Sequence, residues 1–131
     1  MRILTLLAFT CLAATARAEA ADLAALTKAH PADALALPAV KAAAKRLLGK
    51  DWADYLDHMD EPGHGGLQGN DYYGSTCTGG DCDAGYATLF VDAGTGAVYA
   101  AWTRDNHLFF RPELDSWPEK AASAYEFWPE N

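Results

Sequence analysis

The chain has 131 residues, half of them hydrophobic, and 10 Lys and Arg stand against 18 Asp and Glu for a formal charge of −8. That balance argues against nucleic acid and anionic lipid surfaces as partners and suits a basic one, because complementary charge speeds encounter. The length is that of one small domain.

Residues 1–18 read as a secretory signal. Arg2 gives the positive start, residues 3–14 form an apolar run too short and Ala-rich to span a bilayer, and Ala16-Arg17-Ala18 offers a small-x-small cleavage site. The expected mature chain is a single domain over residues 19–131. Losing Arg2 and Arg17 moves the charge from −8 to −10, and losing Cys11 leaves Cys77 and Cys82. An even pair in an exported protein favours a disulfide over a metal site or redox nucleophile.

Beyond the signal, residues 22–30 read as one short helix closed by Pro31, with thin packing from Leu23 and Leu26. Residues 32–37 read as a linker. Pro38 suits a first helical turn, Val40, Ala43, Ala44, Leu47 and Leu48 recur at helical spacing, and Gly49 supplies the stop. Lys41, Lys45 and Arg46 face outward, toward the end of the dipole that favours cations. Asp51 is placed to cap a further helix to about Met59, with Trp52, Tyr55, Leu56 and Met59 on one buried stripe and His58 solvated. The Gly-rich residues 61–66 read as loop.

From Asp71 the hydrophobic period changes to two. Strands are expected over residues 71–76, 85–91, 97–103 and 107–111, with turns at 92–96 and 104–106. The connections are too short for crossover helices, so the strands form an antiparallel meander. Ser116-Trp117-Pro118-Glu119 has a capping-box pattern, and Ala121, Ala122, Ala124, Tyr125 and Phe127 follow as a helix face for the sheet. The fold class is α+β: a small antiparallel β-sheet (meander) with helices packed on one side and a cystine-closed protruding loop.

Catalytic and metal chemistry find little support. Ser75 and His64 lack a G-x-S-x-G turn, and His58 and His64 lack metal-ligand spacing, as does C-x4-C alone. A small hydrolase or metal domain around His64 is the weakest reading, and no catalytic residue, metal or cofactor is expected. Asp54, Asp57, Asp60 and Glu61 read as a solvated acidic face. The segment Cys77-Thr78-Gly79-Gly80-Asp81-Cys82 stands apart. Closing so short a loop contributes only about 2 kcal/mol, so the bridge fixes a shape more than it holds a fold. On its residues alone the loop reads equally as a binding element and as a hairpin decoration.

Gly69-Asn70-Asp71-Tyr72-Tyr73, the Cys77 to Cys82 segment and the hairpin over 87–103 together resemble the Ivy family of periplasmic inhibitors of vertebrate (c-type) lysozyme. The resemblance is clearest over residues 52–103. It implies a cystine loop that projects from an antiparallel sheet and plugs the lysozyme cleft. In the family that loop usually reads Cys-x-Pro-His-Asp-Cys, and its His hydrogen-bonds the enzyme's catalytic carboxylates. Cys77 and Cys82 match the disulfide and Asp81 the acidic residue, whereas Gly79 and Gly80 stand where Pro and His would be. The implied protein is a periplasmic, non-enzymatic inhibitor of c-type lysozyme or a related muramidase, and the resemblance also admits a homodimer. The alternative keeps the loop and changes the partner to the cell's own lytic transglycosylases or another wall-associated protein.

Overall fold

The structure is a computed structural model that describes residues 20–126; the expected signal segment and Phe127 lie outside them. Five strands form one antiparallel sheet in the order β1-β2-β3-β4-β5. They are β1 Gly63–Gln68, β2 Asp71–Cys77, β3 Tyr86–Val91, β4 Val98–Arg104 and β5 His107–Arg111. Each pairs with the next along the chain, as the expected meander requires.

Side chains alternate between faces along a strand, and here both faces are covered. One carries Tyr72, Leu89, Val91, Ala100 and Trp102 under α1 (Ala20–Ala24), α2 (Pro31–Ala36), α3 (Pro38–Leu48) and α4 (Trp52–Asp57). The other carries Phe90 and Ala101 under Trp117 and α5 (Glu119–Glu126), which packs through Ala121 and Ala124. Helices on one side therefore describes α1 to α4, and α5 corrects it by lying on the opposite face. The physical reason sits in β3, buried continuously from Ala87 to Val91. A strand apolar at consecutive positions needs a cover on each side.

Trp102 anchors the larger core. It is 1% exposed, meets the Tyr55 ring edge-on at 5.7 Å and stacks on Phe109 at 5.5 Å. Its indole N–H donates to the Asp54 carboxylate at 3.0 Å, which also pairs with Arg104 at 3.5 Å. Asp54 is thus a structural acceptor rather than part of a solvated face. The Tyr55 hydroxyl donates to the Thr88 carbonyl at 2.7 Å, and burial pushes that phenol well above its ordinary pKa.

Several local expectations change for identifiable reasons. Pro31 opens α2 instead of closing a helix, because His30 caps it: its Nδ1 accepts from the Ala32 amide at 2.9 Å. Residues 61–66 include most of β1, an edge strand whose glycines hide the period. Asp51 makes no side-chain cap and pairs with Arg111 at 3.6 Å. On the expected stripe Tyr55 and Met59 are buried, but Leu56 is 41% exposed. His58 is not simply solvated, since its Nε2 donates to the Thr103 carbonyl at 2.9 Å. The capping box does not form, because Ser116 Oγ donates back to the Glu113 carbonyl at 2.7 Å and α5 begins at Glu119.

A clamp holds α5 to the end of the sheet where the β3–β4 turn lies. Lys120 reaches Asp71 at 3.2 Å and Asp92 at 3.1 Å, while Asp92 Oδ1 also accepts from the Gly94 amide at 2.8 Å. Burial alone would raise the Asp92 carboxyl. The hydrogen bonds from Lys120, Gly94 and Thr95 outweigh it and hold the carboxyl below its ordinary 3.8. Lys120 is raised above 10.5, first by its hydrogen bond to Asp92. A lowered acid stabilises the fold above its ordinary value, and that contribution disappears as pH falls through the lowered one. Asp92→Asn is therefore expected to cost about 1 kcal/mol at pH 7. Urea titrations should show the gap from wild type closing as pH drops below 3.8; an equal gap at pH 7 and pH 3 would contradict this account.

Candidate functional site

The site grows out of the β2–β3 connection. The last cross-strand pair is Cys77 with Tyr86, and the Thr78 amide adds one more bond to the Gly85 carbonyl at 2.9 Å. Between them the chain leaves the sheet. A single 3-10 turn, Thr78–Gly80, is closed by the Asp81 amide on the Thr78 carbonyl at 3.0 Å. Asp81 then turns the chain back, its Oδ1 accepting from the Asp83 amide at 3.0 Å and its carbonyl from the Ala84 amide at 3.1 Å.

The Cys77–Cys82 disulfide bridges this turn, with the two Cα atoms 4.4 Å apart. Cys77 is buried at the strand end and Cys82 half-buried, while Gly79, Gly80 and Asp81 are exposed. Among the described residues, a methyl group built on Gly79 or Gly80 would find no atom within 4 Å beyond its own chain neighbours. No described side chain packs over the tip, although the Gly79 amide is held by Glu61. Its backbone has φ of 61° at Gly79 and 82° at Gly80, the left-handed region where glycine is at ease. Proline is locked near −65°, so the path at position 79 is not one that a Pro would impose.

Beside the loop lies an open groove of about 530 Å3, bounded on the far side by the β4–β5 turn. His58, Asp83, Tyr86, Arg104 and Leu108 line it. Arg104 covers the Phe109 ring at 4.9 Å, and Leu108 is 40% exposed. Asp57, Asp60, Asp83 and Asp105 are exposed at this same end of the sheet. The site has a small apolar floor and an acidic margin.

The other sequence candidates are not brought together. His64 lies exposed on β1 opposite Ser75, which is buried at 4%. That leaves the imidazole in solvent and the hydroxyl inside the sheet, an arrangement that assembles no nucleophile. His107 is exposed at the start of β5. Among the described residues no three His, Cys, Asp or Glu side chains gather at a metal-binding distance, and no helix is long and apolar enough to cross a membrane. One contributor escaped the sequence reading. Glu61, read as solvated, accepts the Gly79 amide at the loop tip at 2.9 Å from 18 positions away. No local pattern signals so distant a partner.

The chain is similar to the uncharacterized protein y4bG of Sinorhizobium fredii (strain NGR234), with 35% identity over 102 residues. The match covers 77% of this chain and 38% of that relative, so the chain spans well under half of the relative's length. No solved structure matches. The family model described as inhibitor of vertebrate lysozyme (Ivy) matches residues 39–131, a stretch that takes in α3, α4, the whole sheet and the cystine loop, and the chain belongs to that family.

Proposed function

We propose that the protein is an exported, periplasmic inhibitor of c-type lysozyme that occludes the enzyme's cleft with residues 78–81. The observation that carries this reading is the bridged tip itself, which is held by a covalent closure and has no described residue packed where a side chain on Gly79 or Gly80 would project. A turn already fixed in shape loses little entropy when it enters a cleft. Family membership names the class of target, and the net charge of −8 favours encounter with a basic enzyme. The tip offers no imidazole, so occlusion carries more of the inhibition than hydrogen bonding does.

A turbidity assay with a c-type lysozyme and a titration of the purified protein tests this reading. Absence of inhibition at tens of micromolar removes it. Gly80→His should tighten inhibition by about fivefold: a hydrogen bond to a carboxylate contributes about 2 kcal/mol, offset by about 1 kcal/mol for ordering the new side chain, while the strain of an L-residue at φ 82° falls on stability. The missing side chain at Gly80 also supports a second reading, in which the loop meets the cell's own lytic transglycosylases. Retention of such an enzyme from periplasmic extract by the wild-type loop, with no effect on lysozyme, would favour it.

A further inference from the structure

We propose that Glu61 is a positioning residue for the cystine loop: it ties the mobile-prone glycine tip to the helical layer and so sets the pose in which the loop meets its target. The inference rests on the loop being the inhibitory element. The disulfide fixes Cys77 and Cys82, but it leaves Gly79 and Gly80 with no side chain and no packing neighbour. Glycine backbones lose the most entropy when ordered. The Gly79 N–H is nevertheless held, because it donates to Glu61 Oε2 at 2.9 Å. A hydrogen bond to an ionised carboxylate is among the stronger kinds.

Glu61 is itself held from behind. Its carbonyl oxygen lies 2.8 Å from His30 Nε2. Since His30 Nδ1 accepts the Ala32 amide, the neutral ring carries its proton on Nε2 and donates it to Glu61. The next residue, Pro62, accepts the Cys77 amide at 2.8 Å through its carbonyl. Gly63 leaves room for this arrangement, since a Cβ there would stand 3.0 Å from His30 Nε2. A continuous line of hydrogen bonds thus runs from the start of α2 through His30 and Glu61 to the tip. Its last link is the only part that leaves the folded body, which makes Glu61 separable from the fold.

The test compares wild type, Glu61→Ala and Glu61→Gln in two measurements. The first is Gly79 amide hydrogen exchange by NMR on the free protein, and the second is the inhibition constant for a c-type lysozyme. Glu61→Ala is expected to speed Gly79 exchange and weaken inhibition, each by about fivefold, with unfolding still cooperative and the thermal midpoint lowered by no more than about 5 °C. Glu61→Gln should restore both to within about twofold, since a carboxamide oxygen also accepts. Unchanged Gly79 exchange in Glu61→Ala, or faster exchange with undiminished inhibition, overturns the proposal, as does failure of Gln to restore either. If wild type itself does not inhibit, the functional reading fails, and the exchange comparison still decides whether Glu61 holds the tip because it needs no lysozyme.

Discussion

Replacing Cys77 and Cys82 together by serine is expected to weaken inhibition of a c-type lysozyme by about thirtyfold while leaving the protein folded. The stability cost should be about 2 kcal/mol, set by the short loop that the bridge closes. The effect on inhibition is of similar size and arises separately, because it falls on the tip. Without the bridge, Gly79 and Gly80 sample many backbone states, and ordering the freed segment on binding costs about 2 kcal/mol more than before. Urea denaturation measures the first quantity and the inhibition constant the second. Equal inhibition by a folded double-serine variant would mean that the loop is not the element that enters the cleft.

The largest stability effect is expected at Gly74. It faces Gly65 across the β1–β2 pair, and the Tyr72 phenol lies against both. Tyr72 is fully buried, and its hydroxyl donates to the Ala29 carbonyl at 2.7 Å, fastening the segment before α2 to the sheet. A Cβ on Gly74 would collide with that hydroxyl and come within 2.8 Å of Pro31 Cγ. Gly74→Ala should therefore overpack the site and displace a buried hydrogen bond, for about 3 kcal/mol in all. In a domain of this size that lowers the thermal midpoint by about 15 °C. Combining it with Tyr72→Phe removes the colliding oxygen, so the double variant should lose about 1 kcal/mol less than the two single losses together. Strict additivity would show that the phenol does not fill the space above Gly74.

These two sites also show how far the fold could be read beforehand. Strands β2 to β5 were legible because Tyr, Thr, Phe and Val alternate between turn residues, and β5 appears over the residues expected. Strand β1 was not, because Gly63, Gly65 and Gly66 carry no hydrophobic period. Gly63 has the Ser75 carbonyl pressed against it, and Gly65 the Ala29 carbonyl and the Tyr72 phenol, contacts that come from elsewhere in the chain. Pro31 was read as a terminator, although proline stops one helix and starts another equally well. Only the His30 ring, joined to both Ala32 and Glu61, decides between them.

Within the candidate site, the bridge between Cys77 and Cys82 could be anticipated from cysteine number and the expectation of export. The left-handed backbone of the tip was not legible, nor was its tie to Glu61. The tie depends on where the end of the helical layer falls relative to the sheet. The opposite placement of α5 was hidden for a related reason. An alanine-rich face fits either side of a sheet, and the choice is made by Trp117, which packs against Tyr99 and Phe110 and donates its indole N–H to the Pro112 carbonyl at 2.8 Å.

Among the described residues none packs where a side chain on Gly79 or Gly80 would project, so a substitution there meets the left-handed backbone and the Glu61 bond rather than the core. Two positions at the crown of the turn can thus drift or be redesigned while the scaffold keeps its shape. A loop built this way can be retargeted at a local backbone cost of about 1 kcal/mol for each L-residue, with the packing of the scaffold untouched.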